Sequence, residues 1–265
     1  MKLEIKNAQF SFSPRSTPVL QNLNFEIASG SYWCLAGPNG AGKSTLLRLA
    51  AGLIDFKFFT GNASWILKEA KRPIQSFSRN ELAHYLAFVP GSLKSHFSIS
   101  IEAFVLQGRY IHSPFLSRAS QSDLDIARAA MSRVGIDSIA YSLIDEVSAG
   151  ELQLALIARA LCQQPSVLIL DEATANLDLG HQAKIYSLLH GLNSEGMTIL
   201  LVTHDLNISA EFCPNLAWMK SGSIIAHGKT EEMLTTEHLQ KIYGDDVGAK
   251  IGRNPFTNKP KIFWT

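Results

Sequence analysis

Gly37-Pro38-Asn39-Gly40-Ala41-Gly42-Lys43-Ser44-Thr45 is the stretch on which the fold turns. It fits G-x-x-x-x-G-K-[ST], the phosphate-binding P-loop, with Gly37, Gly42, Lys43 and Ser44 at the fixed positions. Three glycines let the backbone curl without Cβ clashes, so successive N–H groups can point inward at one anion. Leu46-Leu47-Arg48-Leu49-Ala50-Ala51 follows as a helix whose positive N-terminal end faces the same spot. Upstream, Tyr32-Trp33-Cys34-Leu35-Ala36 is a short apolar run, as a buried strand entering the loop requires. A Gly-rich turn matching by chance has no reason to carry this strand and helix on either side. The pattern predicts a nucleoside triphosphate site, with Lys43 a mobile cation for the β- and γ-phosphates and the Ser44 hydroxyl suited to Mg²⁺.

The chain around this loop has 265 residues, enough for one large domain or a domain with an inserted lobe. With 46% hydrophobic and 18% charged residues it reads as an ordinary soluble globular protein. A formal charge of +1 gives no electrostatic case for nucleic acid or an anionic membrane surface. No apolar stretch approaches the roughly 20 residues of a membrane-spanning helix. Met1 to Lys6 alternates charged and apolar residues, which suits a strand and not a signal peptide. Cys34, Cys162 and Cys213 are odd in number, far apart and in apolar contexts, so buried thiols in a reducing cytosol are expected. A cytoplasmic chain follows, with any membrane link made through a partner.

Residues 1–30 read as a twisted antiparallel β region, with Phe10, Phe12, Val19, Leu23, Phe25 and Ile27 at buried positions. Gly52 to Gly61 reads as a turn region, Ser64–Leu67 as a short strand and Leu86–Pro90 as a buried strand. From about 93 to 147 the pattern turns helical. Ser122 with Asp125 reads as a capping box ahead of Ile126–Val134, and Gly135 as its stop. A helix over Glu151–Leu161 precedes the run Val167–Leu170, and a helix near 180–193 precedes Thr198–Val202. Strands alternating with helices and rich in Val, Ile and Leu imply a parallel sheet covered on both faces. A short helix around 231–243 and a tail from Asn254 to Thr265 close the chain.

Asp171 and Glu172 end a buried run, where ligands gather in open α/β sheets. Asp171 is positioned to hold Mg²⁺, and Glu172 to polarise an attacking water as general base. The bland alternative is two solvated acids at a strand end. His204 follows Val202 at the same edge, where it can reach a γ-phosphate; the other seven histidines carry no such placement. Ser148-Ala149-Gly150-Glu151 opens a helix and offers a second anion site, although Ser148 alone is also an ordinary N-cap. One γ-phosphate is already surrounded by the P-loop side, so a second copy of the chain would have to bring this motif.

Taken in order, these features resemble the nucleotide-binding subunit of ATP-binding-cassette (ABC) transporters. The resemblance covers most of the chain: Phe12, Gly37–Thr45, Val147–Glu151, Asp171-Glu172, Asn176-Leu177-Asp178 and His204. It implies an α/β fold with a RecA-like P-loop NTPase core, an antiparallel β subdomain and an inserted α-helical subdomain at about 93–147. An ATP-binding domain would then span 1–240, with a tail over 241–265. By resemblance, Phe12 stacks on adenine, the P-loop including Pro38, Asn39, Gly40, Ala41 and Thr45 holds ATP, and Asp178 belongs to a loop crossing a dimer interface. Two copies would pack head to tail with ATP between them, a homodimer held by its ligand. Phe104–His112 and Leu234–Gly244 resemble importers of iron-siderophores, haem or cobalamin. That implies a polytopic permease as partner, a solute-binding protein acting indirectly, and a place on the inner face of the membrane. Within the same family a soluble ATPase of the iron–sulfur assembly type stays open, as does a regulatory dimer locked by ATP.

Three positions depart from the family pattern. Gly91 stands where a Gln normally touches Mg²⁺ and the attacking water, with Ser92 the nearest polar side chain. Ala149 replaces the first Gly of Ser-Gly-Gly, and Ala173 replaces the Pro after the acidic pair. The expectation is that ATP binding survives while hydrolysis is slow, and that restoring Gln at position 91 changes turnover.

Overall fold

In the computed structural model, which describes residues 1–93, 98–112, 118–175 and 177–264, the chain builds three sheets. The strands begin with β1 (Lys2–Phe10), β2 (Leu20–Ile27), β3 (Tyr32–Ala36), β4 (Phe59–Leu67) and β5 (Ala70–Pro73). They continue with β6 (Leu86–Pro90), β7 (Val167–Asp171), β8 (Thr198–Val202), β9 (Asn215–Lys220) and β10 (Ser223–Lys229). β11 (Ala249–Arg253) and β12 (Pro260–Trp264) close the chain as a hairpin. An antiparallel sheet runs β2-β1-β4-β5, and a six-stranded sheet runs β10-β9-β3-β8-β7-β6. The latter is parallel from β9 to β6, with β10 antiparallel at its edge.

Each sheet carries the side-chain pattern its environment requires. In β1 the inward set changes from Leu3 and Ile5 to Ala8 and Phe10 across an irregularity beside Asn7, whose φ is 51°. One extra residue there re-aims the strand without exposing its apolar face. All five residues of β7 and all five of β8 are buried. Val167 and Ile169 face one apolar cluster with Leu46, Leu47 and Trp65, whereas Leu168 and Leu170 face another with Leu156, Tyr186 and Trp218. The parallel sheet is therefore covered on both faces, which is why its strands are apolar without alternation.

The helices are α1 (Lys43–Ala50), α2 (Arg79–Ala83), α3 (Ile101–Leu106), α4 (Gln121–Val134) and α5 (Ala149–Cys162). α6 (Leu179–Ser194), α7 (Leu206–Phe212), α8 (Thr230–Met233) and α9 (Thr236–Tyr243) follow. α3 and α4 pack on α5 and make the helical lobe. Buried Arg109 ties that lobe together: its guanidinium donates to Asp123 Oδ1 at 3.0 Å and to Cys162 O and Gln164 Oε1 at 2.9 Å each.

Several expectations need correction. The capping box of α4 is Ser120 with Asp123, not Ser122 with Asp125; the Ser120 hydroxyl accepts from Asp123 N–H, and the Asp123 carboxylate accepts from Ser120 N–H. Gly135 does end that helix, at φ 70°. Phe12 is exposed at 62% and Val19 is only half-buried, because the chain has left β1 and not yet entered β2. β4 starts at Phe59, inside the stretch read as a turn. The single helix over 231–243 is two helices, since Thr235 caps α9 by accepting from His238 N–H at 3.2 Å. The stretch read as a tail holds the end of α9 and the β11–β12 hairpin, with Ala249 and Ile262 buried. Asn176 and Thr265 lie outside the described residues.

Candidate active site

The parallel strands end together, and each delivers chemistry at its C-terminal edge. β3 runs into the P-loop and α1, β7 into Asp171-Glu172, and β8 into Thr203-His204-Asp205. Lys43, 6% exposed, donates its ammonium to the carbonyls of Gly37 at 2.7 Å and Pro38 at 3.0 Å. Burial pulls its pKa below the usual lysine value, against the opposing pull of Glu172 and Asp171. The Ser44 hydroxyl donates to Asp171 Oδ1 at 2.7 Å. Two hard oxygen donors from different elements thus meet at one point, the donor chemistry that suits Mg²⁺.

Glu172 Oε1 lies 2.8 Å from His204 Nε2, so the Nε2–H tautomer of the imidazole donates to the carboxylate. Both side chains stay partly open to solvent. A cavity of about 700 Å³ is lined by Asn39, Gly40, Glu172, Thr203 and His204 together with Thr174 and Gln182. The structure thus brings P-loop, carboxylate and histidine to one place. Gln182 is a wall residue that sequence reasoning missed. Its Nε2 donates to the Thr174 carbonyl at 3.3 Å, a contact that no local spacing announces.

Glu172 has a φ of 57°, in the left-handed region. Two of the three departures bear on that conformation. A Cβ added at Gly91 would stand 2.7 Å from the Asp171 carbonyl oxygen and 2.9 Å from that of Glu172. A proline at 173 would push residue 172 towards extended backbone, which a φ of 57° is not. Gly91 and Ala173 are therefore both compatible with the Glu172 backbone, and a Gln at position 91 would crowd it.

The helix-opening motif sits elsewhere. Ser148 caps α5: its hydroxyl accepts from Glu151 N–H at 3.3 Å and donates to the Glu151 carboxylate at 2.7 Å. Those contacts from Ser148 hold the Glu151 carboxyl below its usual pKa. Asp178 caps α6 by accepting from His181 N–H at 2.9 Å, and it also bonds His181 Nδ1 at 2.7 Å. The His181 ring lies against Gly150, where a Cβ would come within 2.5 Å of it. Ser148–Glu151 and Asp178 thus form one patch, and none of these residues lines the cavity at Glu172. Phe12 stands apart from that cavity too, edge-on to Phe10 with ring centroids 5.2 Å apart.

Comparison with known proteins places this geometry. Residues 20–175 match the family described as ABC transporter. The ferric enterobactin transport ATP-binding protein FepC of Escherichia coli K12 is 32% identical over 97% of this chain and 93% of its own length. The petrobactin import ATP-binding protein FpuC of Bacillus anthracis is 36% identical over 92% of this chain and 88% of its own. Among solved structures, an ABC transporter assigned to the metal-chelate type, in an inward-facing conformation, superposes with a TM-score of 0.80 at 25% identity. That superposition covers 100% of this chain and 97% of the other.

Proposed function

This chain belongs to the ABC transporter family, and on that premise we propose that it is the ATP-hydrolysing subunit of an importer of metal chelates of the iron–siderophore class. The observation that carries the catalytic part is the Glu172–His204 hydrogen bond, facing the P-loop across a shared cavity. The import part is supported by relatives whose names specify ferric enterobactin and petrobactin.

The roles follow from the groups present. The P-loop from Gly37 to Thr45 supplies N–H donors. The Lys43 ammonium exchanges its two loop carbonyls for the β- and γ-phosphates, a charge-assisted contact. Ser44 and Asp171 would hold Mg²⁺, which when bound neutralises charge on the phosphates. Glu172 takes a proton from the attacking water while His204 fixes the orientation of its carboxylate. Exposed Phe12 is free to lie against the adenine ring.

The second wall of the site would come from another copy of the chain. Ser148 to Glu151, with Asp178 beside them, form a surface patch away from their own cavity, and Leu179 next to Asp178 is 80% exposed. A large apolar side chain left open at that point favours burial in a homodimer with ATP between the copies. No helix among the described residues is long and apolar enough to cross a membrane. Attachment to the inner face of the membrane would therefore run through a permease, with a solute-binding protein delivering the chelate beyond it.

Co-expression with a polytopic permease of the iron–siderophore import class tests the assignment. Co-purification of the two, with ATP turnover that responds to the partner, is the expected result. Turnover by the isolated chain with no membrane subunit retained would favour a soluble ABC ATPase instead.

A further inference from the structure

The C-terminal hairpin has no role in the chemistry above, yet it grips the helix that follows His204. α7 starts two residues after that histidine, and Asp205 caps it by accepting from Ile208 N–H at 3.0 Å. From the hairpin, the Ile262 N–H donates to Asn207 Oδ1 at 2.7 Å. At the other end of α7, Glu211 Oε1 accepts from Asn254 Nδ2 at 2.6 Å and from Thr257 Oγ1 at 2.9 Å. The Lys259 ammonium reaches the Glu211 carbonyl as well. Every one of these contacts lands on a single helix of seven residues. A helix that short has no stability of its own, so its placement is set by what holds it.

The hairpin also packs on α7, with Leu206 and Ala210 in one apolar cluster with Ala249 and Ile262. A cavity of about 740 Å³ is lined by residues of the P-loop, of α7 and of the hairpin, among them Pro38, His204, Leu206, Asn207, Ile262 and Trp264. The first turn of α7 borders that space, and beside it the Asn207 side chain is bonded directly to the hairpin backbone.

We propose that the β11–β12 hairpin is a strap that fixes α7 and so positions His204 against Glu172, with Asn207 and Glu211 as positioning residues. This rests on His204 acting in hydrolysis as proposed above. The simpler possibility is that the hairpin only covers apolar surface through Ala249 and Ile262. The two differ in what a change at Asn207 does. A strap controls geometry at the reacting centre, where a displacement of about 1 Å can cost on the order of a hundredfold in rate. A cover controls stability.

ATP turnover, the KM for ATP and the melting temperature are to be measured for the full chain carrying Asn207→Leu, Asn207→Asp or His204→Ala. Asn207→Leu is expected to lower kcat at least tenfold with KM for ATP within about threefold of the parent. Asn207→Asp keeps an acceptor for the Ile262 N–H and is expected to recover most of that turnover. Parental kcat in Asn207→Leu, with His204→Ala impaired, overturns the strap and leaves the catalytic assignment standing. A loss that Asn207→Asp does not recover also overturns it. Parental turnover in His204→Ala refutes the assignment of His204 and removes the strap with it. Should Asn207→Leu fail to fold, Glu211→Ala against Glu211→Gln carries the same comparison, and equal kcat in those two overturns the proposal.

Discussion

At Glu172 the side chain and the backbone are set by different neighbours. His204 holds the carboxylate at 2.8 Å, and the absent side chain at Gly91 leaves room for the carbonyls of Asp171 and Glu172. A left-handed conformation at a non-glycine residue costs of the order of 1–3 kcal/mol, so it persists only where surroundings enforce it. Gly91→Ala is therefore expected to lower ATP turnover with nucleotide affinity little changed, and Gly91→Gln to lower it further. A rise in turnover for Gly91→Gln, read in the same steady-state assay, would show that the missing amide matters more than the displaced backbone. At Lys43 the expectation is simpler. A hydrogen bond to a charged group contributes about 1.5–3 kcal/mol, so Lys43→Ala should weaken ATP binding by roughly ten- to a hundredfold in calorimetry. Equal affinity in the two proteins would remove Lys43 from the phosphate site. The P-loop, the acid pair and His204 were legible in sequence because their chemistry is tied to short spacing. What Gly91 does was not, because its constraint comes from β7, eighty positions further along the chain.

Among the elements, the helical lobe adds one buried guanidinium to the apolar packing of α3, α4 and α5. Arg109 pairs with Asp123, and the Asp123 carboxyl is held down to about 2, first by the Ser120 hydroxyl and then by Arg109. A depressed carboxyl pKa stabilises the fold fully above the ordinary aspartate value and loses that contribution as pH falls through the folded value. Here the window runs from about 4 down to about 2. Asp123→Asn should lower the melting temperature at pH 7, and its deficit against the parent should shrink towards pH 2. A deficit independent of pH would mean that packing, not charge, carries the effect. Arg109→Met, which strips several hydrogen bonds, should destabilise by roughly 2–4 kcal/mol in urea unfolding, much of it from leaving Asp123 without its partner. Element boundaries show where local signals are decisive. β6 and β8 stand where their apolar runs do, because continuous burial leaves no other choice. α4 was capped two residues too late, because Ser122 and Asp125 offer the same Ser-x-x-Asp spacing as Ser120 and Asp123. Only tertiary context, with Asp123 facing Arg109, selects between them. The hairpin at 249–264 was invisible, because its strands mix charged and apolar residues and take their register from one another and from α7.

For the molecule as a whole, one edge of the parallel sheet gathers a phosphate cradle, a carboxylate and a histidine, while the Ser148–Glu151 and Asp178 patch looks outward. Among the described residues, the cavity at Glu172 is not lined by that patch. On the proposed function the two halves would meet only between two copies, the arrangement that the family resemblance implied. Glu172→Gln addresses the joint site, because it keeps the shape of the side chain and removes its basicity. Loss of a general base lowers rate by about a hundredfold or more without touching ground-state binding. The decisive measurement is light scattering of Glu172→Gln, with and without Mg²⁺ and ATP, alongside its ATP turnover. The account predicts a monomer without nucleotide, a stable dimer with ATP, and turnover at most about a hundredth of the parent. A variant that binds ATP yet stays monomeric, or that hydrolyses it at the parental rate, would contradict it.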